Sequence, residues 1–149
     1  MPELSFRPLL ASDLPQVLAI EQQAFSHPWS AQLYQDALER YDCWLVALAG
    51  RHAGHAVMQY VADEAHLLNI VIASECQGRG LGRQLLEFVL AQAAQRQCRE
   101  CFLELRASNH GAYRLYESAG FNELGRRRDY YPAAKGHEDA ILMVCSLAL

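Results

Sequence analysis

Three short stretches hold the residues whose types and spacing suit chemistry. In QGRGLGR (77–83), Gly78, Gly80 and Gly82 alternate with Arg79, Leu81 and Arg83 directly before an amphipathic helix pattern. Glycine backbone can come close to a phosphate chain, and a helix N-terminus aims aligned N–H dipoles at it. In CFLELR (101–106), a carboxylate, Glu104, stands in the middle of an otherwise apolar strand pattern. Strand alternation puts Cys101, Leu103 and Leu105 on one face and Phe102, Glu104 and Arg106 on the other. If this strand is central, Glu104 is expected in a buried layer or a cleft. There, desolvation favours the neutral form and poises a carboxylate as a general base. The structural alternative is a salt bridge to Arg106 or Arg79. In NHGAYRLYESAG (109–120), Tyr116 follows Tyr113 at helical spacing. Such an aromatic suits a core, but a phenol with an ordinary pKa of about 10 can also protonate a leaving thiolate.

Spacing narrows what the glycines can hold. A nucleotide-hydrolysing loop needs G-x-x-x-x-G-K-[ST]; five residues after Gly78 stands Arg83, with no Lys-Ser/Thr pair. A dinucleotide fingerprint needs G-x-G-x-x-G, and again residue 83 is arginine. The stretch also follows several antiparallel-looking strands instead of opening a βαβ unit. What remains is Q-x-x-G-x-G, formed by Gln77, Gly80 and Gly82. Taken alone it is also compatible with a plain glycine turn into a helix.

The other candidates are weaker. Cys98 and Cys101 form a C-x-x-C, but no second pair supplies the four ligands of a zinc site, and the pair does not open a helix. His52 and His55 fall in GRHAGHA, which reads as a hairpin turn with exposed histidines. No metal site is expected. Cys76 lies beside the glycines without a paired histidine, which disfavours a covalent route.

Positioning these residues requires the following elements. SFRPLL is a short first strand. Ser12 is expected to cap a helix with Pro15 in its first turn. SHPWS (26–30) interrupts the helical pattern, and Ser30 caps a second helix. CWLVALA (43–49) and HAVMQYV (55–61) form a hairpin, and HLLNIVI (66–72) is a near-continuous apolar strand. After the glycine segment and its helix comes CFLELRA, then a helix capped by Asn109 and ended by Gly120. Two last strands, FNELGRRRDYY and HEDAILMVCSL, are joined by PAAKG. The fold class is α/β: one domain over residues 1–149, with a central mixed, mostly antiparallel sheet and about four helices, in the order β-α-α-β-β-β-α-β-α-β-β.

Composition agrees. The 149 residues are 52% hydrophobic and 20% charged, enough for one hydrophobic core, and the formal net charge of −4 speaks against nucleic acid as the main partner. Without an apolar run of roughly 18–20 residues or a signal-peptide start, a cytoplasmic protein with no membrane partner is expected. Five cysteines suit a reducing compartment.

QGRGLGRQLL followed by LELRASNHGAYRLYESAGF resembles the GNAT superfamily of acetyl-CoA-dependent N-acetyltransferases, and the expected element order extends the resemblance over nearly the whole chain. HPWS, DEAHLLNIVI, LYESAGFNE, RRRDYYP and EDAILM make it most similar to the bacterial enzymes that acetylate the N-terminal alanine of a small-subunit ribosomal protein. The resemblance implies that Ile70, Val71 and Ile72 offer backbone to the pantetheine arm and thioester. It implies that Gly78, Arg79, Gly80, Leu81, Gly82 and Arg83 cradle the pyrophosphate, and that Gln77, Asn109 and Tyr116 also belong to the coenzyme site. Glu104 matches the proposed general base and Tyr116 the general acid. Acetyl-CoA is then the cosubstrate, the N-terminal segment of a ribosomal protein the partner, and a monomer is expected.

Trp29, Tyr130 and Tyr131 are candidates for a slot that receives the peptide. Trp29 is equally suited to anchoring the turn between the helices. Acetylation of a polyamine or aminoglycoside is the enzyme alternative, disfavoured by the arginines of RRRDYYP. A non-catalytic acyl-CoA-binding module would need neither Glu104 nor Tyr116.

Overall fold

The computed structural model describes residues 3–147. It contains β1 (Leu4–Pro8), α1 (Leu14–Ala24), α2 (Ala31–Arg40), β2 (Asp42–Leu48), β3 (Arg51–Val61), β4 (Glu64–Ile72), α3 (Leu81–Gln95), β5 (Glu100–Arg106), α4 (His110–Ser118), β6 (Asn122–Pro132) and β7 (His137–Ser146). Short 3-10 turns at Ala11–Asp13 and Ser74–Cys76 lead into α1 and out of β4. The strands hydrogen-bond in the order β1-β2-β3-β4-β5-β7-β6. β4 and β5 pair in parallel; β1–β2, β2–β3, β5–β7 and β6–β7 are antiparallel. This is the mixed, mostly antiparallel sheet with four α-helices that the sequence implies.

The chain forms two compact units. Of the described residues, one comprises 3–59 together with Leu68–Val89; the other comprises Tyr60–Leu67 together with 90–147. In the first, α1 and α2 bury Leu14, Val17, Tyr34 and Ala37 against Cys43, Leu45, Ala47 and Val57 of β2 and β3. Ser30 caps α2, its Oγ accepting from Leu33 N–H at 3.2 Å. Ser12 does not cap α1. Asp13 precedes that helix instead, and its carboxylate accepts from Arg7 and from the Leu10 N–H. Ser12 lies inside the 3-10 turn, one residue before the N-cap position of α1, and so is not placed to cap it.

The β2–β3 connection corrects the expectation of exposed turn histidines. The turn is Ala49-Gly50, both at positive φ (52° and 80°), so β3 already begins at Arg51. This is the geometry of a two-residue hairpin, which needs left-handed backbone at both positions. His52 and His55 therefore lie within β3, and His55 is fully buried.

In the second unit, β5 alternates as its sequence predicts, with Cys101, Leu103 and Leu105 buried. Ala140, Ile141, Met143 and Cys145 of β7 are buried as well, and β7 pairs with β5 from Glu100↔Ser146 to Arg106↔Ala140. Asn109 caps α4, its Oδ1 accepting from Ala112 N–H at 3.2 Å. Gly120, at φ 103°, turns the chain so that Phe121 N–H donates to the Tyr116 carbonyl. β6 carries irregularities between Glu123 and Gly125 and between Arg127 and Tyr131. At the second, Asp129 takes φ 52° and its N–H donates to Asp139 Oδ1 at 3.0 Å.

Candidate active site

The first unit holds the glycine segment. β4 ends at Ile72, and the Gln77 side chain folds back so that its Nε2 donates to the Ile72 carbonyl at 3.1 Å. Gly78 and Gly80 both take φ 78°, and a Cβ on either would meet nothing within 4 Å. The backbone there is thus left-handed and open on its side-chain side, as a close approach by a phosphate requires. α3 starts at Leu81 and runs for 15 residues, so its first-turn N–H groups and dipole lie directly after this backbone. Arg79 and Arg83 are exposed cations at the same end, and Arg83 pairs with Glu87 at 2.7 Å one turn further on. The segment fits an anionic pyrophosphate. On β4, Val71 is buried, while Ile70 and Ile72 are half-buried.

The second unit holds the expected catalytic pair. Glu104 is not buried, which corrects the first of the two expectations, a buried layer. It is exposed, its side chain retaining 32% of its accessible surface, and Arg127 Nη2 lies 3.6 Å from its Oε1. At that length the contact is electrostatic and leaves the carboxylate lone pairs uncommitted to it. The partner is neither Arg106 nor Arg79. Arg106 donates to the Pro132 carbonyl at 2.7 Å and pairs with Glu138 at 3.3 Å. The parity of the strand assigned Glu104 to the face opposite Leu103 and Leu105, but only tertiary packing decides whether that face is covered.

Tyr116 is 8% exposed and packs against Phe121 with ring centroids 5.8 Å apart. Burial, with smaller contributions from Cys101 and Tyr131, pushes its phenol above the ordinary range, so it stays protonated at any working pH. Of the proposed peptide-slot residues in this unit, Tyr130 is exposed and Tyr131 half-buried, with rings at 5.0 Å and 80°. Arg127 stacks over Tyr130 and Arg106 over Tyr131. Asn109 commits its side-chain oxygen to the α4 cap. Cys98, Cys101 and Cys145 are buried free thiols; burial pushes Cys101 up to about 12 and Cys145 up to about 11, which makes them inert.

Comparison with known proteins decides what this arrangement belongs to. The model of the acetyltransferase (GNAT) family matches residues 14–121. The chain belongs to the GNAT acetyltransferase family. The [ribosomal protein bS18]-alanine N-acetyltransferase of Salmonella typhimurium is 44% identical over 142 residues, covering 95% of this chain and 96% of the relative. The enzyme of the same name from Escherichia coli K12 is 42% identical over the same share. The crystal structure of the ribosomal-protein-S18-alanine N-acetyltransferase from Escherichia coli superposes with a TM-score of 0.93 at 40% identity, covering 99% of this chain and 96% of that one. The chain is an N-acetyltransferase, and its family uses acetyl-CoA.

This acetyltransferase also holds a polar cluster that the sequence reading missed, within the first unit. Glu21 of α1 is wholly buried. Its Oε2 accepts from the Trp29 backbone N–H at 3.0 Å. Its Oε1 accepts from the Tyr34 hydroxyl at 2.5 Å and from Asn69 Nδ2 at 2.6 Å. Asn69 Nδ2 also lies 2.9 Å from the Tyr34 oxygen. His55 Nε2 lies 3.0 Å from the Tyr34 hydroxyl and 3.6 Å from Glu21 Oε1. Because the Tyr34 proton is given to Glu21, His55 Nε2 must carry hydrogen and donate to the Tyr34 oxygen. His55 Nδ1 in turn faces His52 Nε2 at 3.2 Å.

Burial works against a charge on Glu21, but the donors His55, Tyr34, Trp29 N–H and Asn69 together outweigh it and hold the carboxyl below the usual range. The available signal was periodicity: Glu21 stands on the same helical face as Leu14 and Val17, where a carboxylate needs partners from elsewhere. Gly54 was missed too. A Cβ there would lie 2.6 Å from the Val71 carbonyl and from Ile72 Cδ1, so β3 can lie this close to β4 only with glycine.

Proposed function

We propose that this chain transfers the acetyl group of acetyl-CoA to the α-amine of an N-terminal alanine on a small-subunit ribosomal protein of the bS18 type. The observation that carries this reading is the near full-length likeness to the bS18-alanine enzymes, 44% identical over 95% of the chain. The chain works as one acetyltransferase domain over residues 1–149.

The left-handed backbone at Gly78 and Gly80 and the N-terminus of α3 hold the pyrophosphate, with Arg79 and Arg83 supplying positive charge. Gln77, tied to the Ile72 carbonyl, fixes the start of that segment. Ile70–Ile72 offer backbone to the pantetheine arm, and N–H groups at Val71 or Ile72 stabilise the oxyanion. Asn109 contacts the coenzyme beside its capping role. When bound, acetyl-CoA supplies an activated acyl carbon and a thiolate leaving group. An α-amine has a pKa of about 8 and is largely protonated at neutral pH. Glu104, open to solvent, removes that proton directly or through a water, and the neutral amine attacks. Tyr116 is the general acid that returns a proton to the departing thiolate. Trp29, Tyr130 and Tyr131 present aromatic surface to the peptide.

Intact-mass analysis tests the proposal. Lysine-blocked peptides beginning with Ala, Ser, Gly or Met are incubated with the protein and acetyl-CoA. One acetyl increment on the alanine peptides, above all on the bS18 N-terminus, is the expected result. Acetylation of spermidine in preference to every peptide would move the substrate to small amines.

A further inference from the structure

Glu21 takes no part in the chemistry above, yet it is the one fully buried carboxylate among the described residues. Three elements meet on it: the α1–α2 loop through the Trp29 N–H, α2 through Tyr34, and β4 through Asn69. Both oxygens are occupied by protein donors and the side chain is fully buried, so it cannot receive a substrate amine. What it does is join the loop carrying Trp29 to the residue that immediately precedes Ile70–Ile72. The Trp29 ring packs at 5.2 Å from Tyr34, which donates to the same carboxylate, so backbone and side chain of Trp29 are set by one group. His55 and His52 extend the cluster along β3, and burial pushes His52 down to about 4, so it enters uncharged.

We infer that Glu21 is a positioning residue for peptide binding: its carboxylate clasps the Trp29 amide and fixes the α1–α2 loop relative to Asn69 of β4. This rests on the reading of Trp29 as peptide-facing. A carboxylate suits the task because only an acceptor without protons can take all three donors at once. An amide of the same size would set an NH2 against either the Trp29 N–H or the Tyr34–Asn69 pair, and one side of the clasp must open.

The test compares wild type with Glu21→Gln and Glu21→Asp by hydrogen-exchange mass spectrometry of the segment spanning 25–30 and by steady-state kinetics with an alanine-first peptide. In Glu21→Gln, exchange across 25–30 is expected to rise while the segment 77–83 exchanges as in wild type. KM for peptide is expected to rise about tenfold, with kcat within about twofold. Glu21→Asp keeps the charge but is one methylene too short to reach every donor, so an intermediate effect of the same sign is expected. It also decides the matter should Glu21→Gln fail to fold. Unchanged exchange across 25–30 in a folded variant, or a fall in kcat with KM unaltered, would overturn the proposal. If wild type acetylates no peptide, the substrate reading fails on its own, and the exchange data still decide whether Glu21 holds the loop.

Discussion

At the residue scale, Glu104 and Tyr116 differ in what the structure does to them. Glu104 sits beside Arg127 with its carboxylate open to solvent, whereas Tyr116 is sealed against Phe121. A base needs access to its proton donor; burial keeps the Tyr116 phenol protonated but, by raising its pKa, also makes it a weaker proton donor. Replacing Glu104 by Gln is expected to lower kcat by roughly 10²–10⁴ while acetyl-CoA binding, followed by calorimetry, stays within a few-fold of wild type. Tyr116→Phe removes only the hydroxyl of a buried ring and is expected to lower kcat by a similar order, with Tm nearly unchanged. A kcat near wild type in either variant would remove that residue from the mechanism. Glu104 as a strand carboxylate was legible in CFLELR, but its exposure and its partner Arg127 were not. Strand parity names a face; that this face stays open, with Arg127 of β6 beside the carboxylate, is set by segments far away in sequence.

At the element scale, glycines do two different jobs. Gly78 and Gly80 bend the chain between β4 and α3 through left-handed backbone that other residues adopt at a cost. Gly54 has ordinary backbone and matters for space, since its missing Cβ would fall 2.6 Å from the Val71 carbonyl. Gly54→Ala is therefore expected to destabilise the fold by about 1–3 kcal/mol, as overpacking does, and to do so by shifting the strand that carries Ile70–Ile72. A urea titration measures the first effect and KM for acetyl-CoA the second. Equal stability with unchanged KM would show that β3 and β4 accommodate the methyl. The glycine segment could be read from sequence because its signal is local. The role of Gly54 could not, because nothing local marks a backbone approached by another strand.

At the scale of the whole molecule, titratable groups whose pKa the fold shifts set a pH window. His52 is pushed by burial from 6.5 to about 4, so between those values the unfolded chain binds more protons and stability falls as pH drops. Asp13 is held at about 2 by Arg7, against an ordinary 3.8, and its contribution is lost as pH falls through that range. On the alkaline side, burial raises Cys43 and Cys101 from 9.0 to about 12 and Cys145 to about 11. There the unfolded chain loses protons first, and stability falls as pH rises above about 9. Denaturant midpoints across pH 3–11 are expected to plateau between about 6.5 and 9 and to decline on both sides. A flat profile from 6.5 to 4 would show that His52 titrates normally. No helix among the described residues is long and apolar enough to cross a membrane.

The sequence by itself determined the element order, the helix caps at Ser30 and Asn109, the glycine segment before α3, and the alternation of β5. All of these are set by residues within a few positions of one another. Tertiary structure alone decided that His55 is fully buried, that Glu104 is open and paired with Arg127, and that Glu21 gathers Trp29, Tyr34 and Asn69. The reason is physical. Secondary structure follows from local backbone preferences and periodicity, whereas burial and hydrogen-bond partners depend on which distant segments the sheet brings side by side. Glu21 and Asn69 stand 48 residues apart in the chain and 2.6 Å apart in the fold.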